Sequence, residues 1–361
     1  MASKKKIIIG LVDADLLCKG TRHPNLVLLK LAGYFRDHDI QYELVINNDV
    51  DLDKYRYVYL SRVFTFTTMP KFIDEYKKAH LKTWEKKIKE GGTGFYATVE
   101  DRNEFNRLRE IDMTRLSKDP FLPGFSMEHQ MPDYTIYQSY IDREIEKKVD
   151  EDSKKYTKKN GVAPTMEEIE KLMAKHRKKY KDYLDYSIGF FTRGCVRQCS
   201  FCVNKGIRQI QQYSNLEDFV DPSRPYIYLW DDNFLCYKNW KELLQQLIDT
   251  KKPFQFRQGL DECVIDDARA EMLSKCRYHG DFIFAFDQWK DRDLIERKLK
   301  IWKRHCPSKT TKFYLFCGYE LTEDDDNKIF EDVYYLFRRI QILMSYGCLG
   351  YVMRHADFQN H

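Results

Sequence analysis

Cys195, Cys199 and Cys202 stand in the run Thr192-Arg193-Gly194-Cys195-Val196-Arg197-Gln198-Cys199-Ser200-Phe201-Cys202. The spacing is C-x3-C-x2-C, with an aromatic residue just before the last cysteine. Three thiolates on one short loop can hold three irons of a cubane cluster and leave the fourth iron open to another ligand. A zinc knuckle or three reduced structural thiols are the other readings. Zinc sites usually pair two C-x2-C units or add a nearby Cys or His. No second pair stands close here, and the next cysteine is Cys236.

The run resembles the signature of the radical S-adenosylmethionine (SAM) superfamily. The resemblance implies a [4Fe-4S] cluster on Cys195, Cys199 and Cys202. It also implies that SAM chelates the free iron and that Phe201 lies near the SAM adenine. Reductive cleavage of SAM to a 5′-deoxyadenosyl radical, and hydrogen abstraction from an unreactive C–H position, follow as expectations. The Thr-Arg-Gly-Cys opening is most similar to methylthiotransferases and cobalamin-type members. The former carry a further N-terminal cluster domain, yet only Cys18 precedes Cys195.

Six short apolar segments must position this loop. They cover 186–191, 226–230, 254–256, 282–286, 312–317 and 349–352, each followed by a polar cluster and then a helical pattern. Parallel barrels place chemistry at the C-terminal strand ends, and six units match the partial (β/α)6 barrel that the resemblance implies. Carboxylates of Asp231 or Asp232 are candidates for the SAM amino group. Asn233 beside them is a further cofactor-binding candidate, with a helix cap as the alternative role. Arg257 and Gln258 are candidates for the SAM carboxylate or ribose, since an arginine fork is bidentate. Asp261 and Asp287 are candidates for ribose or substrate. The run 322–325 reads as an acidic helix start. Cys236, Cys317 and Cys348 lie near strand ends and are candidate hydrogen-atom donors, although free cysteines are common in cores. No residue is assigned as catalytic, and a single cluster is expected.

The N-terminal part alternates strand and helix. Strand patterns at 6–12, 42–46 and 57–63 flank a dense apolar helix at 25–38, and Pro70 opens a charged helix to about Lys89. This order predicts a Rossmann-like parallel sheet, with any ligand near Asp13, Asp15 or Ser61 at the strand ends. It resembles the domain preceding the barrel in cobalamin-type radical SAM enzymes. The cobalamin pattern D-x-H-x-x-G is absent, because the loop reads Asp13-Ala14-Asp15-Leu16-Leu17-Cys18 and His23 is the nearest histidine. Cobalamin is therefore not expected.

The expected layout is 1–100 Rossmann-like, 101–185 connector and charged helical insertion, and 186–361 partial barrel. Residues 141–180 hold 12 Lys+Arg and 9 Asp+Glu. Thr165 and Glu168 form a capping box for a helix whose apolar positions run through Ile169, Leu172, Met173, Tyr180 and Leu184. The run Lys175-His176-Arg177-Lys178-Lys179 on that helix is either a solvated face or a basic arm for RNA.

The chain has 361 residues, 43% hydrophobic and 15% aromatic, enough for sizeable cores, and its formal net charge is +5. That excess permits an anionic partner without demanding one. Ten cysteines in this length are not a disulfide framework, and cluster thiols must stay reduced. With no secretory signal and no long apolar run, a cytoplasmic protein is expected. Three functions are open: a radical SAM enzyme acting on a small molecule or peptide, one modifying RNA, or a non-enzymatic iron–sulfur protein that binds a partner or senses redox state. Either enzyme would need a cellular reductant such as flavodoxin or ferredoxin.

Overall fold

The computed structural model describes residues 8–21, 23–99, 101–197, 199–202, 204, 207–319, 321 and 326–355, without the side chains of Arg102 and Met113. The expected helix start at 322–325 lies outside these residues. The fold class is α/β with parallel sheets. The chain divides into two compact units, 1–186 and 187–361.

The first unit runs β1 (Ile8–Asp13), α1 (Ala14–Lys19), α2 (Leu26–Asp37), β2 (Gln41–Leu44), β3 (Tyr57–Ser61), α3 (Lys71–Ala79), β4 (Ile88–Gly91), α4 (Arg102–Arg115), α5 (Gln138–Asn160), α6 (Met166–Arg177) and α7 (Lys181–Leu184). Its four-stranded sheet has the order β2-β1-β3-β4, all parallel. The helix expected from Pro70 to about Lys89 stops at Ala79, and residues 88–91 form the edge strand instead. Ile88 is buried and pairs with Val58. One apolar residue among lysines and glutamates leaves no period to read, so only the sheet edge reveals the strand. The capping box of Thr165 and Glu168 is formed. The helix it starts does not reach Leu184. It breaks after Arg177, and Tyr183 turns into the core and donates to the Thr21 carbonyl at 3.1 Å.

The chain switches direction between β1 and β3, the place where open α/β sheets take ligands. Side chains of the unit itself fill that crevice. Asn25 donates to Ser61 Oγ at 2.7 Å, and Tyr137 donates to Asp13 Oδ2 at 2.7 Å while accepting from the Asn25 amide at 3.0 Å. Tyr183 stacks edge-on against Tyr137 at 5.0 Å. Asp15 is equally committed, accepting from the amides of Val63 and Phe64 and from the Thr67 hydroxyl. His23 pairs with Asp182. In the helical insertion Lys175 and His176 both face Asp152, at 3.1 and 3.0 Å. Arg177, Lys178 and Lys179 are exposed.

The second unit opens inside β5 (Tyr186–Gly189). It continues with β6 (Thr192–Arg193), β7 (Gln211–Gln212), β8 (Tyr226–Leu229), α8 (Trp240–Asp249), β9 (Phe254–Phe256), α9 (Asp267–Ser274), β10 (Phe282–Ala285), α10 (Arg292–His305), β11 (Thr311–Cys317), α11 (Asp326–Ser345) and β12 (Leu349–Arg354). The order β5-β8-β9 is joined to β10-β11-β12 through a parallel bridge between Leu260 and Phe284. All six expected strands are thus present, neighbour to neighbour in sequence order. The expected helix after each strand is missing after β5, which is followed by no described α-helix, and whatever follows β12 beyond His355 lies outside the described residues. The segment after β5 is spent on the cysteine loop, the β6/β7 ladder and a single 3-10 turn at Leu216–Asp218.

Alternation along these strands separates two faces. Ile227, Leu229, Phe254, Phe256, Phe282, Phe284, Phe313 and Leu315 join Leu244, Leu299 and Trp302 of the helices in one buried core. Tyr228, Gln255, Ile283 and Tyr314 take the opposite face. Buried Arg339 of α11 stitches strand ends together, donating to the carbonyls of Phe286, Asp287 and Phe316 at 2.8, 2.7 and 3.0 Å. No described helix is long and apolar enough to cross a membrane. All ten cysteines are free.

Burial raises the Asp13 carboxyl from 3.8 to about 6, against the opposing hydrogen bonds from Tyr137 and Leu16. A raised native value means that the folded state holds the proton more tightly, so stability is lost as pH rises from about 4 through 6. Replacing Asp13 with Asn removes this titration. Relative to the parent, D13N should gain up to roughly 3 kcal/mol between pH 4 and pH 7 in chemical melts at stepped pH. A constant difference between the two across that range would show that Asp13 does not titrate there.

Candidate metal centre

The cysteine loop leaves the C-terminal end of β5 and returns through β7. Thr192 and Arg193 pair antiparallel with Gln212 and Gln211, so the loop is closed at its base by a two-residue ladder. The Cys195 amide donates to the Ile207 carbonyl at 2.9 Å, closing it a second time. Gly194 is required between the two closures. Its φ is +104°, and an added Cβ would lie 2.3 Å from the Gln209 carbonyl oxygen.

The end of β8 holds this loop from the side. Asp231 is buried and accepts from Thr192 N at 2.6 Å, Thr192 Oγ1 at 2.7 Å and Phe191 N at 3.2 Å. Burial raises its carboxyl to about 6 in spite of those bonds. Asp232 accepts from Gly194 N at 2.9 Å and Asn204 Nδ2 at 2.7 Å. Of the two carboxylates proposed for an ammonium partner, Asp231 is therefore committed to the root of the loop and Asp232 to its middle.

Asn233 does not cap a helix through its side chain. Its Nδ2 donates to Cys195 Sγ at 3.4 Å and to Asp261 Oδ2 at 2.9 Å. The Arg197 amide donates to Cys195 Sγ at 3.4 Å, and the Asn204 amide to Cys202 Sγ at 3.4 Å. The bidentate arginine–carboxylate pair in this region is formed by Arg197 and Asp261, at 2.7 and 3.0 Å. Burial opposes ionisation of Asp261, but Arg197 and Asn233 outweigh it and keep the carboxyl below its usual range. Cys236 donates to the same carboxylate at 3.5 Å, and burial followed by that carboxylate pushes its thiol up to about 12.

Phe201 packs against Phe316 and Tyr319, with ring centroids at 4.3 and 5.9 Å. Arg257 lies over the Tyr228 ring at 4.7 Å and donates to Gln255 at 3.1 Å. Gln258 is exposed. Asp287 accepts from the Phe316 amide at 3.0 Å, and burial raises its carboxyl. Cys348 is buried in the helix-side core, and Cys317 is half-buried. Sequence reading missed the roles of Arg197 and Asn204. Arg197 lies inside the motif and Asn204 two residues after it, but their partners stand 64 and 28 residues away, and no local signal announces such a pairing.

Among the described residues no group of three His, Cys, Asp or Glu is gathered around one ion position. A single ion draws its ligands onto one point, whereas a cluster gives each thiolate its own iron. The donor chemistry around the thiols fits either kind of metal site. Two sulfurs receive N–H donors, the kind of contact that tunes iron–sulfur clusters. The Cys199 thiol is pushed up to about 11 by burial, then by Cys202, Asp287 and Cys195. Crowded thiols of this kind are relieved by metal cations, which deprotonate the thiols they bind.

No family model matches the chain, and no curated protein matches it. Two solved structures of SuiB from Streptococcus suis do match. One is described simply as its crystal structure, with 11% identity and a TM-score of 0.34. The other is described as bound to S-adenosylmethionine, with 12% identity and a TM-score of 0.34. Each match covers 63% of this chain and 55% of that one. A likeness at this TM-score carries no argument about fold or chemistry.

Removing the Asp231 carboxylate leaves three donors of the loop root without their acceptor. D231A should destabilise the second unit by about 3 kcal/mol, seen as an earlier transition in urea melts followed by tryptophan fluorescence. D231N, which keeps one acceptor oxygen, should lose less. Equal stability of D231A and the parent would show that the loop root does not depend on this residue.

Proposed function

We propose that this chain is a radical SAM enzyme. In this reading Cys195, Cys199 and Cys202 hold three irons of a [4Fe-4S] cluster. The observation that carries it is the C-x3-C-x2-C loop at the C-terminal end of the first of six parallel strands, with N–H donors aimed at two of its sulfurs. When bound, such a cluster supplies the single electron that cleaves SAM, held on the open iron, to a 5′-deoxyadenosyl radical.

The work of the protein is positioning. Asp231 and Asp232 set the loop, and Asp261 turns the Asn233 amide so that its second N–H meets Cys195. Phe201, supported by Phe316 and Tyr319, offers a flat apolar surface for the adenine. Arg257, stacked on Tyr228, is assigned to the SAM carboxylate. Asp287 is suited to a ribose hydroxyl, which can donate to it. The substrate is a small molecule or peptide taken up on the face opposite the helices. A flavodoxin or ferredoxin supplies the electron.

After anaerobic reconstitution with iron and sulfide, the protein should show broad absorbance near 400 nm and bind about four irons per chain. With dithionite and SAM it should release 5′-deoxyadenosine, read by mass spectrometry. The triple variant Cys195→Ala/Cys199→Ala/Cys202→Ala should lose both signals. A bound cluster without 5′-deoxyadenosine would favour the non-enzymatic iron–sulfur reading. Absence of any cluster would sink both.

An RNA substrate is favoured by one observation, the exposed Arg177, Lys178 and Lys179. That reading predicts RNA binding that weakens with salt. Neutralising the three residues should flatten the log–log salt dependence by up to about three counterions. Binding that is indifferent to the substitutions would remove its support.

A further inference from the structure

Helix α11 carries an apolar stripe that no described residue covers. Phe330, Phe337 and Met344 are 73%, 65% and 68% exposed, and Tyr334 is half-exposed. With Gln341 they recur at steps of four, three, four and three residues. That is the a/d spacing of a coiled-coil seam, with glutamine as the single polar member. The opposite side of the helix is spent on the core through Leu336, Arg339 and Leu343. The stripe is therefore a second apolar face and not a misplaced core. Contiguous exposed apolar patches of this kind mark interaction sites.

Charge decides what covers it. With Tyr334 and Phe337 as consecutive a and d residues, Glu331 and Arg338 fall at the flanking e positions and Val333 at a g position. In a parallel pair e meets g, and neither charge would find an opposite one. In an antiparallel pair e meets e. The two-fold then sets Glu331 of one copy against Arg338 of the other, twice. The same register packs Tyr334 opposite Phe337 of the second copy and Phe330 opposite Gln341 of the second copy. Glu331 makes no ion pair among the described residues, and Arg338 donates only along its own helix, to Gln341 at 2.8 Å. Both remain available for an intermolecular pairing.

We propose that α11 is a self-association surface and that two copies of the chain join through it as an antiparallel, two-fold symmetric helix pair. Isologous contacts of this kind need a self-complementary patch, and the Glu331/Arg338 arrangement supplies one. The proposal is independent of the cysteine loop and of the reaction assigned to it.

Sedimentation of the full chain tests it. The parent should approach twice the 43.5 kDa chain mass as concentration rises and return towards the single mass on dilution. F337E should stay at the single mass with unchanged circular dichroism, which separates lost association from lost folding. E331R and R338E should each weaken association by at least about tenfold, since each sets like charges against one another at both ends of the seam. The double variant E331R/R338E should restore it, because exchanged charges pair again. A parent that stays monomeric would overturn the proposal, whether the stripe is left bare or taken by another protein. So would a dimer indifferent to F337E. Failure of the double variant to recover would overturn the antiparallel register.

Discussion

The second unit depends on one constraint: a loop that turns sharply after a buried strand must find acceptors for its amide groups. Three thiol-bearing residues cannot be presented on such a loop unless its backbone is held from outside. Two adjacent aspartates at the next strand end meet that need. Asp231 takes the amides of Phe191 and Thr192, and Asp232 takes the amide of Gly194. Burying Asp231 costs enough to raise its carboxyl to about 6. That cost is offset only while the loop is in place, so the loop and the second strand end order one another.

A second layer is built on the first. Asp261, from the third strand end, collects Arg197, Asn233, Cys236 and the Cys263 amide. Of these, Arg197 and Asn233 also donate to Cys195. Polar groups from two strand ends thus meet at a single sulfur, and a carboxylate from the third holds both of them. The arrangement is rigid because each amide proton and carboxylate oxygen has a partner with fixed geometry, and side-chain rotation would cost a hydrogen bond. Aromatic packing of Phe201 against Phe316 brings in the fifth strand of the array.

The first unit uses the same sheet logic for a different end. Its switch point, where open α/β sheets ordinarily receive ligands, is packed with Asn25, Tyr137 and Tyr183 around Asp13 and Ser61. Such a crevice gives up its polar groups to internal hydrogen bonds. At the far edge of the second unit the opposite happens. All of β12 is exposed, and α11 shows solvent an apolar seam. The two units therefore spend their apolar surface differently, one closing its strand ends and the other leaving a helix face open.

Much of this was written in the chain order. The cysteine spacing, the six apolar segments of the second unit and the capping box at Thr165 are local patterns of period two or 3.6, or fixed short spacings, and each appears where it was read. The edge strand at Ile88 escaped because one apolar residue among charges makes no pattern. The missing helix after β5 escaped because a loop that must coil around three thiols leaves no distinctive composition. The partners of Asp231, Asp232, Asn233 and Asp261 could not be read at all. A carboxylate after a strand looks the same whether it will meet a ligand, cap a helix or hold a distant amide. The sequence by itself determined which residues stand at the strand ends, since alternation and turn chemistry act between neighbours. Only the tertiary structure decided which of those residues serve the loop and which remain free for another molecule, because hydrogen bonds between strand ends form only after the chain has closed over dozens of residues.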